Sequence, residues 1–297
     1  MQKLPVLKRA QNSRPAGGEL SSITIQPRTH SVRFSLGVLV ILSLGMFFYS
    51  VITNESMRWD VVGEYLFATP ILKGLVGTIA LTIIAMSVGI ILGVILEVVR
   101  ATGGRIFQRI VFILVNFTRS VPLLVQLIFW FNVGIIFPRI AVGIPFTPLQ
   151  VSGETNVLIS GFTASIIGLA LHESALMAEI IRGGILSVPK GQPEAARTLG
   201  IPEYKVFGRI VLPLSMRAII PATMNQLINL MKATAMVAFI AGGDLMTAAQ
   251  KIYSRNFLVI PLLVVVTVWY LVLTLTASVA QRAVEKRFSR GFTDRDR

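Results

Sequence analysis

The chain contains no cysteine and only two histidines, His30 and His172, far apart in sequence. That excludes a disulfide framework, thiolate chemistry and any metal motif built from cysteine and histidine. Charge is scarce too: 14% of the 297 residues are Asp, Glu, Lys or Arg, against about a quarter in an ordinary soluble domain. No glycine is followed by lysine. The phosphate-binding loop GxxxxGK[ST] is therefore missing, and the chain is not its own ATPase. No paired nucleophile and base stands out, so an enzyme is not expected, and no resident cofactor or metal is implied.

What the chain has is apolar length. It is 54% hydrophobic with a mean hydropathy of +0.73, and the apolar residues fall in long blocks. A helix needs roughly 20 such residues to cross about 30 Å of hydrocarbon. Six blocks qualify, at about 34–52, 72–98, 107–137, 158–181, 214–241 and 257–281. Helices are expected, because a lipid-buried backbone must bond to itself. The fold class is thus an all-α membrane protein of about six transmembrane helices.

The net charge of +14 raises nucleic acid as a partner, but its placement argues otherwise. With the N-terminus inside, 21 of the 28 Lys and Arg fall on the inner side, in 1–33, 100–109, 182–217 and 282–297. The outer loops hold Arg58, Lys73, Arg139, Lys251 and Arg255. That is the positive-inside bias, so the charge reports topology and attraction to anionic lipid rather than nucleic acid. Residues 1–33 read as a basic disordered cytoplasmic tail and 34–52 as an extra N-terminal transmembrane helix rather than a signal peptide. Residues 53–71 read as a polar external connector, 138–157 as an external loop, and 286–297 as a cytoplasmic tail.

Several polar or breaking residues interrupt the spans. Gly89 and Gly93 lie four apart and leave one helix face without side-chain bulk, open to a close neighbour. Arg119-Ser120-Val121-Pro122 sits inside the third block, where proline removes a donor and clashes with the preceding turn. Either residues 106–118 lie at the inner interface, or the helix is broken inside the membrane and lines a cavity. The second reading is preferred. Asn225, Asn229 and Lys232 are four and three apart and share a helix face. A lysine at a helix centre costs roughly 2.5–3.5 kcal/mol on insertion scales, so this face should meet water or protein, as a substrate path or as an interhelical clamp. His172 and Glu173 lie about 20 Å along the fourth span from Ser160 at 1.5 Å per residue. Glu173 needs a cation, a donor or a proton there; a substrate ammonium, Lys232 and Arg119 are the candidates. Glu179 and Arg182 are spaced to pair, for gating or structure, as are Glu97 and Arg100.

Between the fourth and fifth spans lies a water-exposed element at 190–210. Gln192-Pro193-Glu194 reads as a helix start with proline at the first helical position. Glu194 then faces the positive helix end. Gly200 reads as the terminator, and Pro202 starts a second helix running towards Ile210. Two turns of isolated helix are marginal in water, so a partner's groove is expected to hold them.

Glu194-Ala195-Ala196, then Gly200, Ile210 and Leu212-Pro213, resembles the signature loop of binding-protein-dependent ABC importer permeases. The flanks Glu179–Ile185 and Ser187–Gln192, together with Arg119, Pro122–Gln126 and Asn225–Lys232, are similar to the polar amino acid branch of that family. The resemblance implies a type I importer transmembrane domain over 70–285, a five-helix core carrying a short cytoplasmic coupling helix. Glu194, Ala195, Ala196 and Gly200 would couple to the ATPase. Ser120, Pro122, His172, Glu173, Asn225, Asn229, Lys232 and Thr234 are the substrate-path candidates, with Arg119, Glu179 and Arg182 in gating or structural roles. Implied partners are two ATPase subunits holding ATP and Mg, a second permease subunit, an extracytoplasmic solute-binding protein and an amino acid substrate. The location implied is a bacterial inner membrane with both termini cytoplasmic. An ion-gradient-driven secondary transporter is the alternative. Two departures stand out: Ile201 replaces the family's hydroxyl after the glycine, and Ala233-Thr234-Ala235 replaces an acidic or amide residue followed by Thr-Ser.

Overall fold

A computed structural model describes residues 31–142 and 151–288. The chain divides into two compact units at Thr53/Asn54. The first contains α1 (Ser31–Thr53), an apolar helix long enough to cross a membrane. The tail at 1–30, the loop tip at 143–150 and the end of the chain at 289–297 lie outside the described residues.

The second unit opens with α2 (Trp59–Leu66) and α3 (Thr69–Thr102). Next come α4 (Arg105–Ser120) and α5 (Leu123–Phe131), bent by 97° at the break. A single turn, α6 (Val133–Ile136), leads to a hairpin of β1 (Arg139–Val142) and β2 (Val151–Glu154). The strands are antiparallel, with Arg139 opposite Glu154. Another single turn, α7 (Thr155–Leu158), precedes α8 (Gly161–Leu186). The chain then forms α9 (Gly191–Thr198), α10 (Glu203–Val206), α11 (Leu212–Ala233), α12 (Leu245–Asn256) and α13 (Val259–Phe288). Helices α3, α8, the rod 203–240 and α13 are each long and apolar enough to span, and the bent pair α4–α5 passes the same test only when taken together. With α1 that gives five candidate crossings, and six when the bent pair is taken as one span, the number expected from the apolar blocks.

The centre of the unit is the α3–α8 contact. A side chain at Gly89 would meet Glu173 Cβ at 2.6 Å, and one at Gly93 would meet Met177 Cβ at 2.7 Å. The bare face of α3 therefore lets the two backbones touch, as small residues do in membranes. Leu81, Ala85 and Met86 of α3 close a core with Leu127, Leu169, Met177 and Leu230. A second core joins Val61 and Val62 of α2 to Leu245, Ala249, Leu262 and Val265. Trp269 Nε1 donates to Leu66 O at 2.8 Å and ties α13 to the end of α2.

Three local readings are corrected. The connector at 53–71 is not merely polar loop: α2 buries Val61 and Val62 there. The outer loop before the last span contains α12, started by Asp244, which accepts from the N–H groups of Met246 and Thr247. The break expected in the third block, by contrast, is present, between Ser120 and Leu123. The second helix of the 190–210 element does not end near Ile210, because Glu203–Ile240 is continuous. A π-turn at Phe207–Val211 carries it past Pro213, with Leu212 N–H bonding to Phe207 O. That wider turn accommodates a proline which, in α-geometry, would press on the carbonyl four residues back.

Gly89→Val should destabilise the purified protein by about 1–3 kcal/mol, the range for overpacking a tight contact. Gly183→Ala, on α8 where a Cβ meets nothing within 4 Å, should not. Thermal unfolding in detergent checks both; equal melting of all three proteins would refute the contact.

Candidate functional site

The exposed element begins earlier than its proline suggests. Helix α9 starts at Gly191, so Pro193 occupies its third position, and Glu194 N–H already bonds to Lys190 O at 3.1 Å. Glu194 still lies in the first turn, where the helix dipole favours its charge. Ala196 is buried, while Glu194 and Ala195 are exposed. Leu199, just beyond, is 79% exposed.

The helix ends at Gly200, whose φ of +74° is a left-handed conformation that a Cβ disfavours. Gly200 N–H bonds to Arg197 O at 2.9 Å and Ile201 N–H to Ala196 O at 3.2 Å. These two bonds make a Schellman motif, which is often accompanied by an apolar residue at the position Ile201 takes. The missing hydroxyl is thereby explained: α10 has no side-chain cap. Arg197 of α9 instead grips Glu203 of α10 with two nitrogens, Nε to Oε1 and Nη2 to Oε2, the latter at 3.2 Å. Both groups are largely exposed, so this clasp sets the angle of the turn rather than supplying much stability.

On α11, Asn225, Asn229 and Lys232 are all exposed, and Met236 and Phe239 continue the stripe on the 3₁₀ segment Thr234–Ile240. None of the three polar side chains forms a hydrogen bond to another described residue. The opposite sides bury Ile219, Ile228, Leu230 and Met231. Arg119, Ser120 and Pro122 are exposed at the α4–α5 elbow.

Glu173, His172 and Thr234 lie behind these surfaces. Glu173 is 1% exposed and accepts from Gln226 Nε2 at 3.0 Å, leaving Oε2 without a partner among the described residues. Neither Lys232 nor Arg119 is its partner within the chain. Thr234 is fully buried, bonded to Met231 O at 2.7 Å and 3.3 Å from Tyr270 Oη. Gln226 escaped the sequence reading, although a membrane amide lying off the stripe needs an inward partner.

The elbow has its own lock. Pro122 carries no N–H, so Thr118 O loses its helical donor. Gln126 Nε2 replaces it at 2.8 Å, donates also to Val121 O at 2.9 Å, and lies 3.3 Å from His172 Nδ1. His172 thus reaches the break rather than the stripe. Towards the other end of α3, Arg100 binds Glu97, with Nε–Oε2 at 2.7 Å, and Glu179, with Nη1–Oε1 at 2.9 Å. Arg182 Nη1 lies 3.7 Å from Glu179 Oε2. The two expected pairs are one four-residue network joining α3 to α8.

Residues 89–290 match the family described as "Binding-protein-dependent transport system inner membrane component". The chain belongs to this family. Among relatives, the arginine transport system permease protein ArgU of Corynebacterium glutamicum is 37% identical over 272 residues, 91% of this chain and 84% of that protein. The probable glutamine ABC transporter permease protein GlnM of Bacillus subtilis is 32% identical, covering 80% of this permease and 100% of its relative. The crystal structure of an amino acid ABC transporter superposes with a TM-score of 0.64 at 30% identity, over 73% of this permease and 94% of that chain. The inward-facing methionine transporter MetNI (TM-score 0.59, 21% identity, 80% and 100% covered) supports the fold alone. The permease is therefore a multi-pass membrane protein with the type I importer fold.

Gln126→Leu should destabilise the permease by about 1–3 kcal/mol per stranded carbonyl, whereas Gln126→Glu in its protonated form keeps one donor and should recover part of the loss. Detergent unfolding of both variants checks this. A leucine variant as stable as wild type would mean that the break needs no lock.

Proposed function

We propose that this chain is the membrane subunit of an ATP-driven importer of polar or charged amino acids. The observation that carries the reading is α9 itself: a two-turn helix with an exposed Glu194, Ala195 and Leu199, held at a fixed angle to a rod that runs on into the membrane. A two-turn helix is marginal in water on its own, so its exposed face suits a partner's groove. ATP and Mg reside on two separate ATPase subunits, whose closure moves Glu194, Ala195, Ala196 and Gly200. A second permease, the same or homologous, covers the α11 stripe, and an extracytoplasmic solute-binding protein delivers substrate. The chain performs no covalent chemistry.

Parity supports the topology. Two crossings separate α9 from the end of α13, and four separate it from the N-terminal tail. All three therefore share one side, the side that holds most of the Lys and Arg. That side is the cytoplasm of a bacterial cell, and the membrane is the inner one. Substrate passes along Asn225, Asn229 and Lys232 and past Arg119, Ser120 and Pro122. His172, Glu173 and Thr234 stand behind them. Relatives named for arginine and glutamine transport support the substrate class, and membership of a binding-protein-dependent family leaves the ion-gradient alternative without support.

In proteoliposomes with ATP and a collapsed ion gradient, arginine or glutamine uptake should persist. Glu194→Lys should lower uptake and substrate-stimulated ATP hydrolysis by roughly tenfold or more, the scale of a lost interface anchor. Undiminished uptake in that variant, or uptake that vanishes with the ion gradient, would contradict the proposal.

A further inference from the structure

A half-open cavity of about 610 Å³ lies where the first turns of α3 meet α12. Its rim carries Lys73, Lys251 and Arg255, while Pro70, Ile252 and the Tyr65 ring make its walls largely apolar. All three cations are exposed, and none forms an ion pair with a described residue. Asp244 is the one acidic residue in the lining among the described residues, and it is already engaged. It is fully buried and accepts from Met246 N–H at 3.0 Å, Thr247 N–H at 3.1 Å and the Thr247 hydroxyl. The cavity thus presents three exposed cations against one buried acidic residue whose oxygens are already bonded.

Its depth follows from α3. Lys73 and Glu97 bracket the 23 uncharged residues 74–96. At 1.5 Å per residue they are about 36 Å apart, slightly more than the roughly 30 Å of hydrocarbon. Lys73, and the cavity with it, therefore lies at headgroup level, at the end of α3 opposite the Glu97–Arg100 pair. A cationic rim at that level over an apolar wall matches an anion attached to a hydrocarbon tail. A soluble acidic protein would match the charges but would not need the wall.

We propose that this cavity holds the phosphate headgroup of one anionic phospholipid per chain, with Lys73, Lys251 and Arg255 on the phosphate and the acyl chains against the apolar wall. The site involves neither α9 nor the α11 stripe, and it does not depend on the direction of transport.

The test places the full chain in nanodiscs of phosphatidylcholine with or without phosphatidylglycerol. Native mass spectrometry reads the lipid retained after transfer to detergent, and thermal unfolding reads its effect. Wild type should retain one phosphatidylglycerol, and this lipid should raise its Tm. Retention should fall by roughly tenfold or more in K73Q/K251Q/R255Q and by roughly fivefold in R255Q alone, each cation contributing to headgroup attraction. R58Q, which removes a cation outside the cavity, should retain lipid as wild type does. Unchanged retention in both R255Q and the triple variant overturns the proposal. So does a Tm rise with millimolar inorganic phosphate equal to that with the lipid, which would mark a soluble-anion site. Loss of an acidic extracytoplasmic protein's binding with lipid retention intact would assign the surface to that protein instead.

Discussion

Arg197 and Glu203 join across the left-handed turn at Gly200, and the helix that begins at Glu203 does not stop until Ile240. Everything this permease is proposed to do depends on that continuity. The Schellman bonds fasten the last turn of α9 to Ile201, the clasp fixes its angle, and the π-turn carries the helix past Pro213. Pro221 lies within α11 without ending it. Coupling between distant sites requires a physically contiguous element that both ends can bias, and this rod is one. Asn225, Asn229 and Lys232 ride on it, so displacement of α9 displaces the polar stripe in the proposed mechanism.

The rest of the unit supplies the frame against which the rod works. Gly89 and Gly93 bring α3 onto α8, and Arg100 stitches the same two helices through Glu97 and Glu179. In hydrocarbon no water repairs a broken backbone, so the elbow at Pro122 survives because Gln126 answers the freed carbonyl. Asp244, by capping α12, does the same for a helix start folded against α3 and α13. Buried side-chain polar atoms of the described residues have hydrogen-bond partners inside the bundle, with two exceptions. Glu173 Oε2 and Thr223 Oγ1 are the buried exceptions among the described residues.

The long crossings were legible because twenty apolar residues in a row have few other uses. Gly200 was legible because a glycine after a two-turn helix is a physical requirement of its left-handed end. The shared face of Asn225, Asn229 and Lys232 followed from helical spacing alone. What could not be read was pairing across the fold. Gln226 and Glu173 are 53 positions apart, Gln126 and His172 are 46 apart, and Arg100 and Glu179 are 79 apart. Periodicity carries no information about such distances. Helix α12 was missed because it is short and its charges made it look like loop. The true start of α9 was missed because a proline is tolerated anywhere in a first turn, not only at its first position.

The absence of cysteine makes the decisive experiment direct, since paired labels can be placed without background. Spin labels at Thr198→Cys and Phe239→Cys mark the two ends of the lever, α9 and the far end of the rod. Pulsed electron paramagnetic resonance on the assembled transporter then compares states with and without ATP on the partner subunits. A rigid lever keeps the 198-to-239 distance within one chain constant while the distance between the two chains' 239 labels changes. A within-chain distance that changes as much, or between-chain distances that stay the same in both states, would show that no force travels along this helix.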